Sequence, residues 1–375
     1  MKKKSANVYI IFFSLLMGFF FTACKKEKPK DKSEPINMDV ALVKVSIPFL
    51  SRQGEQIPIK GTIRNLRDTE INRLEIKWQV DQGQEHSAVY ENLQLKIFEE
   101  FVFEHPDIYT ATTGNHSIKV WISQFNDNEE DAEPLNNSIT TELKVPSQEV
   151  QHIVLYEEFT SSTCNPCYYF NTYYFNEAYF NYNQGKFNLI KYQMNWPGSG
   201  DIYYTAEGGI RRDFYGVNAV PTLFIDGEEG DYSTASEMQQ DLDEHYALPG
   251  TFDIEAYYTI TTSNEIKVKV TGTPFISGQY KMYIAVVEKE TTGNVGSNGE
   301  DKFFNVMMKM VPHANGVSIN VTDGTSFTEK HSASLNGTNI EEYSDLEIVV
   351  FIQDENNKFV YQSTTAINDA SQIDF

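Results

Sequence analysis

Two cysteines, Cys164 and Cys167, follow an apolar segment and precede a stretch expected to be helical, and this arrangement constrains the fold most. The apolar run at residues 152–156 lacks polar alternation, as expected for a strand buried on both faces. At a helix start, cysteines three apart can close a disulfide while the first sulfur stays near free amides and the positive dipole end. That position favours the thiolate, the nucleophilic form. Pro166 suits an early helical position, because its missing N–H costs little there.

Further elements complete an α/β pattern around the cysteines. The apolar runs at 187–192 and 222–225 are expected strands, and Met238, Leu242 and Tyr246 share one face of an expected closing helix. The order strand, helix, strand, loop, strand predicts an α/β unit. A CxxC motif near such a pattern is typical of thioredoxin-like domains.

The resemblance to thioredoxin-like enzymes implies roles for residues outside the motif. Those enzymes carry a buried acid near the end of the preceding strand, and Glu158 matches its position. The resemblance implies that Glu158 accepts a proton from Cys167 after Cys164 has reacted. A surface acid at the end of the strand is the alternative. Val220 and Pro221 match a segment whose proline is cis, borders the disulfide and contacts bound substrate.

We assign residues 148–249 to the thioredoxin-like domain, with an insertion at about 195–212. The insertion is expected to form a loop and a helix that cover the cysteine pair. Arg211 and Arg212 within it are expected on the surface, with added positive potential at the cysteines as the alternative.

The cysteine pair could also serve a role without redox chemistry. A zinc site needs about four ligands; no second CxxC exists and His152 lies on the buried strand, so no metal is expected. An inert structural disulfide is the main alternative to a redox-active pair. Neither a redox-active nor a structural pair requires a cofactor, and none is expected.

Period-two alternation dominates the chain on both sides of this unit. Residues 36–147 are predicted to form an immunoglobulin-like β-sandwich of the adhesion type, and residues 250–375 a C-terminal β-sandwich. The acidic loop at 126–131 could offer oxygen ligands to calcium, but it lacks the spacing of an EF-hand loop. A solvated hairpin loop is the alternative.

The N-terminus has the features of a secretory signal, with lysines, a short apolar run and small residues at 1–23. Cys24 follows Ala23, as in the lipobox of bacterial lipoproteins, and this resemblance implies lipidation of Cys24. An ordinary signal peptide with an incidental cysteine is the alternative. Residues 24–35 are a polar tether. We therefore expect a lipid-anchored protein of the bacterial cell envelope, in the outer membrane.

The formal net charge of −23 argues against a nucleic-acid partner, whose binding surface would be basic. Only three cysteines in 375 residues exclude a disulfide-dense scaffold. Each domain must therefore fold on its own core.

Three segments resemble the 28-kilodalton outer-membrane-protein (Omp) family. They are EEFTSSTCNPC at 157–167, YGV leading into VPT at 215–222, and FFNVM at 303–307. The resemblance spans about residues 150–370 and implies a thioredoxin-like domain followed by a β-sandwich in a cell-envelope protein. Thr163 and Asn165 depart from thioredoxin proper, which has tryptophan and glycine there.

These features favour a thiol–disulfide oxidoreductase or isomerase acting on envelope proteins that carry thiols or disulfides. A binding or adhesion protein that uses the thioredoxin fold as a scaffold is the alternative. A third hypothesis is a glycan binder built on aromatic residues such as Tyr168 and Trp196. The aromatic-rich stretch at 167–180 would in part be core and in part an exposed binding surface.

Overall fold

The structure is a computed structural model that describes residues 38–126 and 130–375. The signal segment, Cys24 and the tether lie outside the described residues, as do residues 127–129 of the acidic loop. Strands predominate over helices, and they form several sheets, as the sequence predicts for a chain built from several β-units. In the described part of the chain, no helix is long and apolar enough to cross a membrane.

The N-terminal part contains two antiparallel sheets with the strand orders β1-β2-β5 and β4-β3-β6-β7. The strands are β1 (Val40–Ser46), β2 (Gln56–Asn65), β3 (Ile71–Val80), β4 (His86–Leu95), β5 (Glu100–Thr110), β6 (Gly114–Phe125) and β7 (Ser138–Val145). Inward-facing residues of both sheets, including Ile59, Trp78 and Val120, form one core. The alternation seen in the sequence thus places every second residue between the sheets. A short strand, β8 (Val150–Gln151), follows.

The cysteines lie in a segment of four strands and four helices. These are β9 (Val154–Thr160), α1 (Asn165–Tyr173), α2 (Glu177–Tyr182), β10 (Phe187–Gln193), α3 (Ala206–Tyr215), β11 (Thr222–Ile225), β12 (Glu228–Gly230) and α4 (Ala235–Tyr246). β9 and β10 are parallel, whereas β11 is antiparallel to β9 and β12 to β11. Helices α1, α2 and α4 pack against one face of these strands, and α3 packs against the other. The aromatic stretch forms two helices because Asn176 caps the start of α2.

The remaining strands form a second two-sheet arrangement. They are β13 (Pro249–Gly250), β14 (Phe252–Ile260), β15 (Glu265–Pro274), β16 (Gly278–Thr291), β17 (Phe303–Val311), β18 (Val317–Val321), β19 (Phe327–Ser334), β20 (Leu346–Gln353), β21 (Val360–Thr365) and β22 (Ile367–Asn368). The sheet β19-β15-β14-β22 shares a core with strands β16, β18, β20 and β21. Val268, Ile284 and Val350 lie in that core and are fully buried.

One nine-stranded sheet joins the cysteine segment to the C-terminal strands. Its order is β12-β11-β9-β10-β17-β16-β20-β21, with β18 paired to β16. The junction is the parallel pair β10–β17, where Lys191 is opposite Val306. The boundary predicted at residues 249–250 therefore separates two parts of the sequence that share a sheet. This pairing brings the segment before β17 next to the cysteines.

Candidate functional site

Cys164 and Cys167 form a disulfide at the N-terminus of α1, with their Cα atoms 5.3 Å apart. Cys164 is the N-cap residue, and its sulfur accepts a hydrogen bond from the Cys167 amide at 3.1 Å. Pro166 occupies the first turn, as predicted. A sulfur at this position lies in the positive field of the helix end, so the thiolate of a reduced Cys164 would be stabilised there.

The predicted Val220–Pro221 segment borders the disulfide. Its peptide bond is cis, and the Val220 carbonyl oxygen lies 3.5 Å from the Cys164 sulfur. Cys164 is only 2% exposed and Cys167 is fully buried. The disulfide is therefore covered, although Pro221 itself is partly exposed.

Glu158 is fully buried on β9 and forms an ion pair with Lys191 on β10, at 3.0 Å between carboxylate oxygen and ammonium nitrogen. Neither carboxylate oxygen accepts a well-oriented hydrogen bond. Burial raises the pKa of Glu158 above its ordinary value, and the nearby Glu300 charge adds to this, although Lys191 opposes it. Lys191 also donates a hydrogen bond to Asn171 on α1, so Glu158 lies on the face of the sheet that α1 covers. Cys167 is the residue of α1 that is buried.

A segment that sequence reasoning missed completes the surroundings of the disulfide. The loop between β16 and β17, residues 292–302, lies against the cysteine loop, and Asn298 donates to Glu300 at 2.5 Å. The same Asn298 amide lies 3.4 Å from the carbonyl oxygens of Ser161 and Cys164. A Cβ on Gly296 would come within 2.3 Å of the Ser162 carbonyl oxygen. The only signal in the sequence was the glycine content of this loop, which gave no indication of its neighbour.

The insertion also contacts the cysteine loop. Thr163 donates to the Pro197 carbonyl oxygen at 2.6 Å, and the Ser162 amide donates to the Asp201 carboxylate at 3.1 Å. Burial raises the pKa of Asp201 above its ordinary value. The cysteine loop is thus held between the insertion and the 292–302 loop.

The expectation for Arg211 is wrong. Arg211 is 1% exposed and forms a buried ion pair with Glu157 at 2.7 Å, whereas its neighbour Arg212 is partly exposed and pairs with Asp213. Consecutive strand residues point to opposite faces, so Glu157 and Glu158 need separate basic partners. The sequence singled out Glu158 and gave no reason to notice Glu157.

Two concave surfaces lie on either side of α1. A groove of about 520 Å³ is lined by aromatic residues and by Pro166 and Pro221, and its Tyr169 and Tyr173 are exposed. A cleft of about 560 Å³ on the other side is lined by Lys191, Glu300 and residues of α1, α2 and β17. The aromatic groove is apolar, and Pro221 in its lining is the residue predicted to contact substrate.

Within residues 38–126 and 130–375, no group of three or more histidine, cysteine or acidic side chains could hold a metal ion. The acidic loop at 126–131 is only partly described, so calcium binding there stays a prediction.

Neither a protein-family model nor a curated protein matches the chain. HBP35 of Porphyromonas gingivalis is similar over 61% of this chain and 81% of that chain, with 14% identity and a TM-score of 0.48. A domain of the outer membrane lipoprotein Omp28 from Porphyromonas gingivalis is similar over 32% of this chain and 89% of that chain, with 17% identity and a TM-score of 0.23. The CARDB domain of PF1109 from Pyrococcus furiosus is similar over 29% of this chain and 88% of that chain, with 14% identity and a TM-score of 0.24. Similarities this distant do not assign an activity or a location.

Proposed function

We propose that this chain is a thiol–disulfide oxidoreductase or isomerase of the bacterial cell envelope, with a thioredoxin-like domain at its centre. The observation that carries the proposal is the arrangement around the disulfide. Cys164 caps α1, the cis Val220–Pro221 bond borders its sulfur, and the buried Glu158 lies under the same helix. A disulfide with only a structural role would not require the combination of these three features.

The reduced pair would act in two steps. The Cys164 thiolate attacks one sulfur of a substrate disulfide, forms a mixed disulfide and releases the other substrate sulfur as a thiolate. Cys167 then gives its proton to Glu158, attacks the Cys164 sulfur and releases the second substrate thiolate. The two electrons of the dithiol pass to the substrate, and the proton held by Glu158 and one from solvent complete its two thiols. A dithiol donor would reduce the pair again; in isomerisation the substrate returns the electrons.

The proposed location is the outer membrane, with Cys24 lipidated and the substrate an envelope protein that carries thiols or disulfides. Support comes from the N-terminal sequence, where Thr22 and Ala23 separate Cys24 from the apolar segment that ends at Phe21. The aromatic groove with Tyr169 and Tyr173 would take apolar side chains of the substrate polypeptide.

A second candidate function is binding or adhesion, with the thioredoxin-like domain as a scaffold. The observation that favours it is the burial of both sulfurs, since Cys164 is 2% exposed and Cys167 is 0% exposed. A disulfide this well covered would resist attack unless the adjacent loops moved. The exposed aromatic residues would then form a binding surface without chemistry.

Insulin reduction by the full chain, with dithiothreitol as donor, separates the two functions. We expect turnover above the dithiothreitol background for the parent and for Thr262→Ser, a control at an exposed position between β14 and β15. Cys164→Ser is expected to lose the added rate entirely. Equal rates for Cys164→Ser and the parent would overturn the redox proposal and leave the binding function.

A further inference from the structure

We propose that Glu300, supplied by the C-terminal strands, is a positioning residue for the cysteine pair. It holds Asn171 and Asn298 in place, and its negative charge, held through Asn171 beside the Lys191–Glu158 pair, sets how readily Glu158 takes the proton of Cys167. The inference rests on the proposed redox function and extends the site beyond the segment that contains the CxxC motif.

A continuous series of contacts connects Glu300 to Glu158. Lys191 Nζ lies 3.0 Å from Glu158 Oε2 and donates to Asn171 Oδ1 at 2.5 Å. The Asn171 amide in turn donates to Glu300 Oε1 at 2.9 Å. Asn171 is on α1, so the same helix that carries Cys167 carries the link between the two carboxylates.

The second oxygen of Glu300 fixes the cysteine loop. Asn298 donates to Glu300 Oε2, and its amide also lies 3.4 Å from the Cys164 carbonyl oxygen. Glu300 thus contacts Asn171 of α1 through one oxygen and, through the other, Asn298, which also lies against Cys164. It is 9% exposed and lines the cleft beside α1, so it lies between the buried ion pair and solvent.

The charges that face this series come from every element packed around it. Glu158 and Lys191 lie on the sheet, Asp201 lies in the insertion, and Glu177 on α2 lines the cleft. Asp301 and Lys302 line the same cleft, but both are exposed, so solvent screens their charges from Glu158. Lys191 is the basic residue that both buried carboxylates face. Burial is the main cause of the raised pKa of Glu158, and the Glu300 charge contributes in the same direction. Removing that charge lowers the pKa of Glu158, so its carboxylate stays available for the Cys167 proton at lower pH.

The test uses Glu300→Gln, which removes the charge and keeps one acceptor oxygen, enough for Asn171 or Asn298 but not for both. Asp301→Asn is the matched control, because it removes the same charge from the next, exposed residue. The reduced full chain is mixed with dithiodipyridine, an aromatic disulfide. The first thiopyridone released reports attack by Cys164, and the second reports resolution by Cys167. The rate of the second phase is measured against pH.

We expect the midpoint of the acid limb of the second phase to fall by about half a pH unit or more in Glu300→Gln and to stay in place in Asp301→Asn. A purely structural role would slow both phases without moving that midpoint. A two-phase reaction whose pH profile is the same in both variants and the parent overturns the role of Glu300 and leaves the redox function intact. Absence of any release from the parent overturns the redox function itself, and the role of Glu300 falls with it.

Discussion

Replacing Arg211 with methionine is expected to destabilise the protein severely, because it leaves the Glu157 carboxylate buried without a positive partner. Arg211 and Glu157 are each 1% exposed, and three guanidinium hydrogen bonds at 2.7–3.1 Å join them. Tyr192 and Tyr215 donate to the same carboxylate at 2.7 and 2.6 Å. Removing one member of such a buried pair costs about 3–5 kcal/mol.

The measurement is urea unfolding of the full chain, followed by tryptophan fluorescence. With an m-value of about 3 kcal/mol/M, a loss of that size lowers the urea midpoint by about 1 M or more. Arg212→Met is the control on the same helix, since its partly exposed pair with Asp213 is worth about 0–1 kcal/mol. The double variant Glu157→Gln with Arg211→Met buries no charge and keeps an acceptor for the tyrosines. It is therefore expected to be more stable than Arg211→Met alone.

Equal midpoints for Arg211→Met and Arg212→Met would refute this reasoning. So would a double variant that loses as much free energy of unfolding as the two single variants together, since independent losses would mean that the two side chains do not interact.

Three further predictions concern pH, activity and the contact between the two β-rich parts. Burial disfavours a charged His245, but its hydrogen bond to Asp226 and the charge of that carboxylate outweigh this and raise the pKa of His245. The protonated His245 therefore stabilises the folded state fully below the ordinary histidine pKa of about 6.5, and this stabilisation declines as pH rises through the pKa of His245 in the folded state. In urea titrations at several pH values, His245→Gln should flatten the decline. Glu158→Gln should slow the second thiopyridone release about a hundredfold at neutral pH and leave the first release unchanged. A second release as fast in Glu158→Gln as in the parent would exclude a proton-transfer role for Glu158. Lys144 is buried, and its ammonium nitrogen lies 4.9 and 4.8 Å from the ring centres of Tyr280 and Tyr361, so it joins the N-terminal sheets to the C-terminal ones. Lys144→Ala should therefore speed proteolytic cleavage between the two parts. An unchanged digestion rate would contradict this.

Short-range pattern was sufficient for the elements that carry the cysteines. The apolar run before Cys164 is β9, the run at 187–192 is β10, and the helix with Met238 and Leu242 is α4. Each of these is encoded within a few residues. β9 and β10 are buried on both faces and therefore lack polar alternation, whereas α4 buries one face and therefore shows a helical period. Where the predicted order has one helix between β9 and β10, the structure has two, α1 and α2, and Asn176 caps the start of the second.

The sequence by itself indicated β9, β10, β11 and the start of α1, since each follows from the local pattern along the chain. Glu158 and Pro221 were singled out by the resemblance to thioredoxin-like enzymes. Only the tertiary structure decided which residues surround the disulfide. Asn298 and Glu300 follow Cys164 by more than a hundred residues, and the pairing of β10 with β17 brings them together. Likewise the partners of Glu157 and Glu158 come from α3 and β10. Contacts between distant segments depend on which strands pair when the sheets assemble. A local pattern in the sequence shows that a residue lies in a strand, but it does not show which distant strand will pair with it.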